Sequence, residues 1–573
     1  MRSKRAVYNI MSNLMLQVTV VVYGFIIPKI IINHFGSSVN GLISSITQFL
    51  AYITLLESGF GPVVKATLYK PIAEKDNEAI KTILKTTEIF FRRIAKIFLV
   101  YITILTIVYP LFINREFEII YTISLIIIIS MSTFAEYFFG MTYKLYLQAE
   151  QKTYIISFIQ IATYIFSIIC IILLAKLNVS IQVLKLISGM IFVLRPLLQN
   201  LYVRKKYKID LKEVNEKYEL KQKWDGLIQH VAFVIHENTD ITILTFMCNL
   251  AEVSVYAVYY LVVKGIRSFV QVFSTGIEAS WGDMIAKKEY KNLYKKFNVY
   301  EIFYFTICTI CFSCTMILIV PFISVYTQGI KDANYIRYAF GYLIVISEYI
   351  WAIRLPYSSI TLAAGHFKET RKGACVEALS NIIISIILVS KLGLIGVTIG
   401  TIIAMTIRTI EFVYHTNKFI LKRNVFASIS KILVVIMETI IIVIIANLIP
   451  KVENVSYFSW AINAIIVFIE ASIIVIILNI IVYRNNIKMI LDYLKNRNTV
   501  VVNLKRVTPD QAKRIVDFLT GSLYAMNGSL QKLGGGIFLC APNNVDIEGK
   551  ITDDSAKASK GKKEEKEEDE FNW

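Results

Sequence analysis

Fifteen ionisable side chains interrupt otherwise apolar runs of this 573-residue sequence: Lys29, Glu57, Lys65, Glu136, Arg195, His236, Glu237, Asp240, Lys264, Arg267, Glu278, Glu348, Arg354, Arg408 and Glu411. Each costs roughly 2.5–3.5 kcal/mol at the centre of a lipid-exposed helix, so they cannot all face hydrocarbon. Many must line a wet cavity or reach the interface. Lys65, Arg195, Glu278 and Glu411 fall near expected helix ends, where snorkelling is enough. Glu57, Asp240, Lys264, Arg267 and Arg354 lie deeper or on polar-spotted helices; for these, function and pairing that serves packing are equally open. Lys29, Lys264, Arg267 and Arg354 as cations, with Glu57 and Asp240 as carboxylates, suit a cavity that takes an anionic headgroup and carries a coupling or gating charge. The run NTDI sets uncharged donors beside Asp240.

Other chemistries find little support. There is no G-x-x-x-x-G-K-[ST] motif, and the glycines of LGGGIF, Gly534 to Gly536, belong to an expected hairpin rather than to the start of a helix. The five histidines lack zinc spacing. Cys308, Cys311 and Cys314 share a helix face without a nearby His or carboxylate, which fits apolar packing better than a soft metal. The seven cysteines follow no disulfide framework. No enzyme, cofactor or metal is expected.

The elements that position these charges are membrane spans. The chain is 55% hydrophobic and 18% charged, far more apolar than a soluble domain. A window of about 20 residues finds about fourteen spans, centred near Val21, Leu50, Val100, Ile127, Ser167, Ile191, Ile241, Val263, Cys311, Ile346, Ile384, Ile402, Ile441 and Val475. The net charge of +19 sits largely in every second loop, from MRSKR through RKKYKIDLKEVNEKYELKQK to KFILKR. This is topology rather than nucleic-acid binding, and it expects both termini in the cytoplasm and an even span count. MRSKR precedes an apolar stretch too long for a cleaved signal, so that stretch should stay as the first span.

The long basic loop divides the spans into two six-helix halves, 1–205 and 226–424, separated by 206–225 and followed by a terminal pair, 425–484. A faint repeat supports this. HFGSSVNGLISSITQFLAYITLLESGFGP and NLAEVSVYAVYYLVVKGIRSFVQVFSTGIEASWG each join a short outer loop to a polar-spotted helix and a Gly-Glu cluster. Repeats of this kind place a transporter's site between halves near the midplane. Pro28 and Pro356 are candidate bends.

After a junction at 485–497 the pattern changes. VVVNL predicts a short strand; Thr508 is a candidate N-cap with Pro509 at N1, and Ala512, Ile515, Val516, Leu519 and Leu523 share one face of a helix over 509–526. NGSLQKLGGGIFLCAP predicts a hairpin. The α/β domain expected over 498–552 is followed by a charged tail, 553–573, whose composition predicts disorder. The fold class is thus an all-α polytopic membrane protein with a small α+β cytoplasmic domain at its C-terminus.

Two resemblances attach to these residues. PKIIINHFGSSVNGLISSITQFLAYITLLESGFG, LYKPIAEKD and ENTDITILTFMCNLAEVSVYAVYYLV resemble the Wzx-type polysaccharide flippases of the multidrug/oligosaccharidyl-lipid/polysaccharide export superfamily over about 1–485. That resemblance implies alternating-access movement of undecaprenyl-pyrophosphate-linked oligosaccharide repeat units from the inner to the outer leaflet of the cell membrane. NTVVVNLKRVTPDQAKRIVDFLTGSLYAMNGSLQKLGGGIFLCAPNNVDIEG is similar to SepF, which ties FtsZ filaments to the membrane, over about 492–552. It implies that Ala512 and Phe538 help form an FtsZ-binding surface, that Gly521 supports self-association, and that the protein gathers at the division site. One strand and part of a helix of the SepF pattern lack a counterpart before VVVNL. Expected partners are therefore the bilayer, the lipid-linked oligosaccharide, FtsZ and further copies of this chain. The rivals are a drug or lipid exporter of the same fold and a membrane-anchored division scaffold.

Overall fold

The computed structural model describes residues 2–57, 60–113, 116–207, 209, 211, 218, 225–448, 456–482, 500–503, 517, 529–534 and 537–541. The chain forms two units, Met1–Ile477 and Leu478–Trp573. The first contains α1 (Arg2–Phe35), α2 (Ser37–Ala51), α3 (Thr54–Glu57), α4 (Phe60–Glu74), α5 (Asn77–Val108), α6 (Ile119–Ala135), α7 (Met141–Ala149), α8 (Thr153–Lys176) and α9 (Ile181–Tyr207). It continues through α10 (Asp225–Met247), α11 (Leu250–Ala286), α12 (Tyr290–Tyr326), α13 (Tyr338–Ala363), α14 (Phe367–Leu392), α15 (Leu394–His415), α16 (Phe426–Leu448) and most of α17 (Tyr457–Val482).

Among the described residues, 13 helices are long and apolar enough to span a bilayer, against the roughly fourteen expected. The difference lies in α10. Its 23 residues are sufficient in length, but His236, Glu237, Asn238 and Asp240 leave it short of the required hydropathy. Its charges can be accommodated only because neighbouring helices cover them, as the site below shows.

Local sequence explains several boundaries. Asp76 caps α5 by accepting from the Ala79 N–H at 3.0 Å, and Asn249 caps α11 through the Glu252 N–H at 2.9 Å. Glycine ends α14 in the left-handed region at Gly393, φ 55°. The helix expected around Leu50 is divided into α2, α3 and α4. π-helical turns at Glu136–Gly140 and Thr416–Ile420 adjust the helices on either side.

Helix α2 of the first half packs tightly against α11 of the second at Gly41. A Cβ added at Gly41 would lie 1.8 Å from the Leu250 carbonyl oxygen, a backbone atom that cannot turn away. Gly41→Ala is therefore expected to force the helices apart and cost about 1–3 kcal/mol by overpacking, read as a lowered melting temperature in detergent. An unchanged melting point would contradict this contact.

The second unit contains β1 (Val500–Asn503), β2 (Ser529–Gly534) and β3 (Ile537–Ala541), in the order β1-β3-β2 with both pairings antiparallel. Val501 faces Leu539, Leu530 faces Cys540, and a register shift at Lys532/Gly534 precedes the glycine-rich link. The expected strand and hairpin are both present. The expected helix over 509–526, including Ala512 and Gly521, and the tail 553–573 lie outside the described residues apart from Asp517; Phe538 is in β3.

Candidate functional site

The charges of the second half converge in a buried network formed by five helices. Helix α10 contributes His236, Glu237 and Asp240; the i, i+4 spacing of the first and last puts them on one face. From α11, Arg267 donates to Glu237 Oε1 at 2.7 Å and to Glu348 Oε2 of α13 at 3.2 Å, while its guanidinium lies 3.8 Å from the Trp351 ring centre. Tyr260 donates to the other oxygen of Glu237 at 3.3 Å. One planar cation thus joins three helices, a geometry suited to the arginine fork.

Asp240 is buried beside this pair, and among the described residues no cation is in hydrogen-bond contact with it. Tyr256 donates to its Oδ2 at 2.8 Å, Thr401 of α15 reaches both oxygens at 2.9 and 2.8 Å, and the Asn381 amide of α14 approaches at 3.5 Å. Ser385 in turn donates to Asn381 Oδ1 at 3.0 Å and approaches the Val397 carbonyl at 3.2 Å. A carboxylate within a shell of hydroxyl, amide and carbonyl oxygens is a donor set for a proton or a hard monovalent cation.

Next to it, Arg354 donates to Glu377 Oε1 at 2.5 Å, and Arg408 lies 3.6 Å from the other oxygen. Arg408 also donates to Glu411 and, at 2.6 Å, to the Thr370 carbonyl. His236 links the two groups, 4.0 Å from Glu377 and 3.2 Å from the Asn381 amide. Another cluster surrounds fully buried Glu301 of α12, which receives Lys431 at 2.5 Å, Arg423 at 2.9 Å, Tyr357 at 2.5 Å and Ser428 at 2.8 Å. It ties α16 to the second half.

Of the expected site residues, Asp240 and Arg267 come together in this network, and Arg354 joins it through Glu377. Lys264 is exposed on α11, one turn from Arg267, with its ammonium 5.6 Å from the Tyr260 ring centre. Lys29 and Glu57 lie elsewhere. Glu57 accepts from Tyr137 at 3.1 Å within the first half. Lys29 donates to the Tyr326 carbonyl at the edge of a cavity of about 1040 Å³. Phe25 of α1, Ile266 and Phe269 of α11, Leu318 and Phe322 of α12, and Trp460 of α17 make its walls almost entirely apolar. Cys311 and Cys314 line it too, in keeping with apolar packing.

Arg195 departs from the expected snorkelling position. Well inside α9, it donates to Thr163 at 2.7 Å and stacks about 4 Å from Tyr164 and Phe192. Glu301, Glu377, Asn381, Thr401 and Lys431 were missing from the sequence-based site. The i, i+4 pair Asn381 and Ser385 and the buried spacing of Glu377 were weak signals, because partners on other helices give them their meaning.

Comparison with known proteins divides the chain in the same way. A family model described as "Cell division protein SepF" matches residues 475–547, starting within α17. The SepF protein of Bacillus subtilis (strain 168) is 59% identical over 64 residues, covering 11% of this chain and 42% of that protein. That of Pelotomaculum thermopropionicum is 56% identical over 69 residues, covering 12% and 46%. The chain thus spans less than half the length of these relatives. The membrane part is similar to a lipid II flippase MurJ in an inward closed conformation: TM-score 0.60, 16% identity, 84% of this chain and 100% of that one. It is also similar to an inward-facing multidrug resistance MATE family transporter of the MOP superfamily, with TM-score 0.56, 12% identity, and 71% and 97% coverage. The chain therefore combines a multi-pass membrane fold of MurJ/MATE type with a SepF-type segment.

Proposed function

We propose that the membrane part is a flippase of Wzx type that carries undecaprenyl-pyrophosphate-linked oligosaccharide repeat units from the inner to the outer leaflet for surface polysaccharide synthesis. The observation that carries this reading is the apolar cavity between α1, α11, α12 and α17 with Lys29 at its edge, since a long prenyl chain needs apolar walls and its pyrophosphate a cation. The fold likeness to a lipid flippase agrees. In the proposed cycle, Lys29 and Lys264 receive the headgroup, Arg267 and Arg354 set the field of the cavity through their carboxylate partners, and Asp240 exchanges the coupling ion or proton, with Glu57 as a second carboxylate. Moving two negative charges outward from an inside-negative cell gains about 2.3 kcal/mol per charge per 100 mV when the protein's own charges stay fixed.

Lys29→Gln and Lys264→Gln together are expected to reduce export at least tenfold and to accumulate lipid-linked repeat units on the inner leaflet. The measurement is the ratio of inner to outer lipid-linked glycan in cells that depend on this chain. A normal ratio with normal protein levels would dismiss the headgroup assignment.

The SepF-type segment favours a second role. We propose that it faces the cytoplasm, self-associates with support from Gly521, and binds FtsZ through a surface that includes Ala512 and Phe538, gathering export at the division site. A multi-pass membrane part anchors such a segment far more firmly than one interfacial helix. If the chain were a division scaffold alone, the lysine substitutions would leave its cellular role intact.

A further inference from the structure

The two halves cap each other's helices on the face that the loop charges assign to the outside. Helix α2 starts after Gly36, which has φ 90° and no side chain to cap it. Its first N–H, on Ser37, is taken by a carboxylate from the other half: Asp332, in the link before α13, accepts from Ser37 N at 2.6 Å and from Ser37 Oγ at 2.8 Å. The reverse contact is also made. Helix α11 of the second half starts at Leu250, and its N–H donates at 2.8 Å to Glu116, in the link before α6 of the first half.

The two contacts occupy corresponding places. In each, the acid stands just before the fourth helix of its own half and caps the second helix of the other, if α2–α4 are counted as one. Between them runs a hydrogen-bonded chain that crosses the halves: Asn40 to Ser254 at 2.8 Å, Ser254 to Tyr335 at 2.9 Å and Tyr335 to Ser37 at 2.8 Å. Gly41, on the same stretch of α2, permits the close backbone approach.

We propose that Asp332 and Glu116 are reciprocal caps that hold the outer gate shut and release together when the halves part. Resting on the transport reading, this makes the pair the determinant of how often the cavity opens outward. The physical basis is that each carboxylate satisfies an orphan helix-end donor and complements the positive end of a helix dipole. Both contacts cross between halves, so any outward opening must break both, and their effects multiply in the opening equilibrium.

The test places a reporter cysteine at Ser45, fully buried on α2 and about 12 Å deeper than Ser37, in a full-length chain whose seven native cysteines are replaced by alanine. A membrane-impermeant maleimide added outside reads gate opening. Asp332→Asn and Glu116→Gln are each expected to raise the labelling rate roughly tenfold, and the double variant roughly a hundredfold. Ser37→Pro removes the donor while leaving the acid in place, and proline is tolerated at the first helical position, so it supplies an independent variant with the same expected rise. Labelling that stays at the parent rate in folded Asp332→Asn, Glu116→Gln and Ser37→Pro chains overturns the latch. Raised labelling in a chain that moves no lipid-linked glycan supports the latch and rejects the transport reading instead.

Discussion

Asp240→Asn should abolish the dependence of transport on an ion gradient. Tyr256, Thr401 and Asn381 all present donors to this carboxylate. An amide of the same shape turns one acceptor into an N–H₂ that meets those donors head on, and one unsatisfied buried group costs about 1–3 kcal/mol. It also removes the charge that would hold a cation. The change keeps the volume, so the helices should still assemble, and the expected loss is about thirtyfold or more in gradient-driven flux, equivalent to ~2 kcal/mol. Proteoliposomes with sodium or proton gradients imposed separately provide the measurement and identify the ion. Wild-type gradient dependence in the asparagine variant would remove Asp240 from the coupling role.

Arg267→Ala should have the largest effect on stability. Glu348 would remain buried and Glu237 half-buried without the cation that joins them, and breaking a buried pair by removing one partner costs about 3–5 kcal/mol. The stack on Trp351 is lost as well. Arg267→Lys should recover only part, since an ammonium cannot span two carboxylates and lie flat on the indole. Adding Glu348→Gln to Arg267→Ala should restore some of the loss, because the uncompensated charge, rather than the missing contact, carries much of the cost. The comparison is made by melting in detergent. Independent, additive losses would show that the two residues do not act as a pair.

These two residues also show how far the sequence reaches. Asp240 and Arg267 stand out because a charge in an apolar run is costly wherever the run goes, and that cost is legible without a structure. Glu377 and Glu301 pass unnoticed by the same reasoning, since each looks like a helix-surface acid until Arg354 or Lys431 arrives from another helix. Pairing across helices is decided by packing angle and register, which hydropathy does not encode.

By itself the sequence determined that this is a polytopic membrane chain, where most of its helices lie, and that a SepF-like pattern of strand and hairpin follows them, because hydrophobic length, loop charge and turn chemistry are local properties. Only the tertiary structure decided which charges are neutralised, that Lys29 borders an apolar cavity while Lys264 stays exposed, and that Asp332 and Glu116 each cap a helix of the opposite half. Residues about 300 positions apart meet there, Ser37 with Asp332, and such meetings follow from how the halves pack together rather than from any run of neighbouring residues.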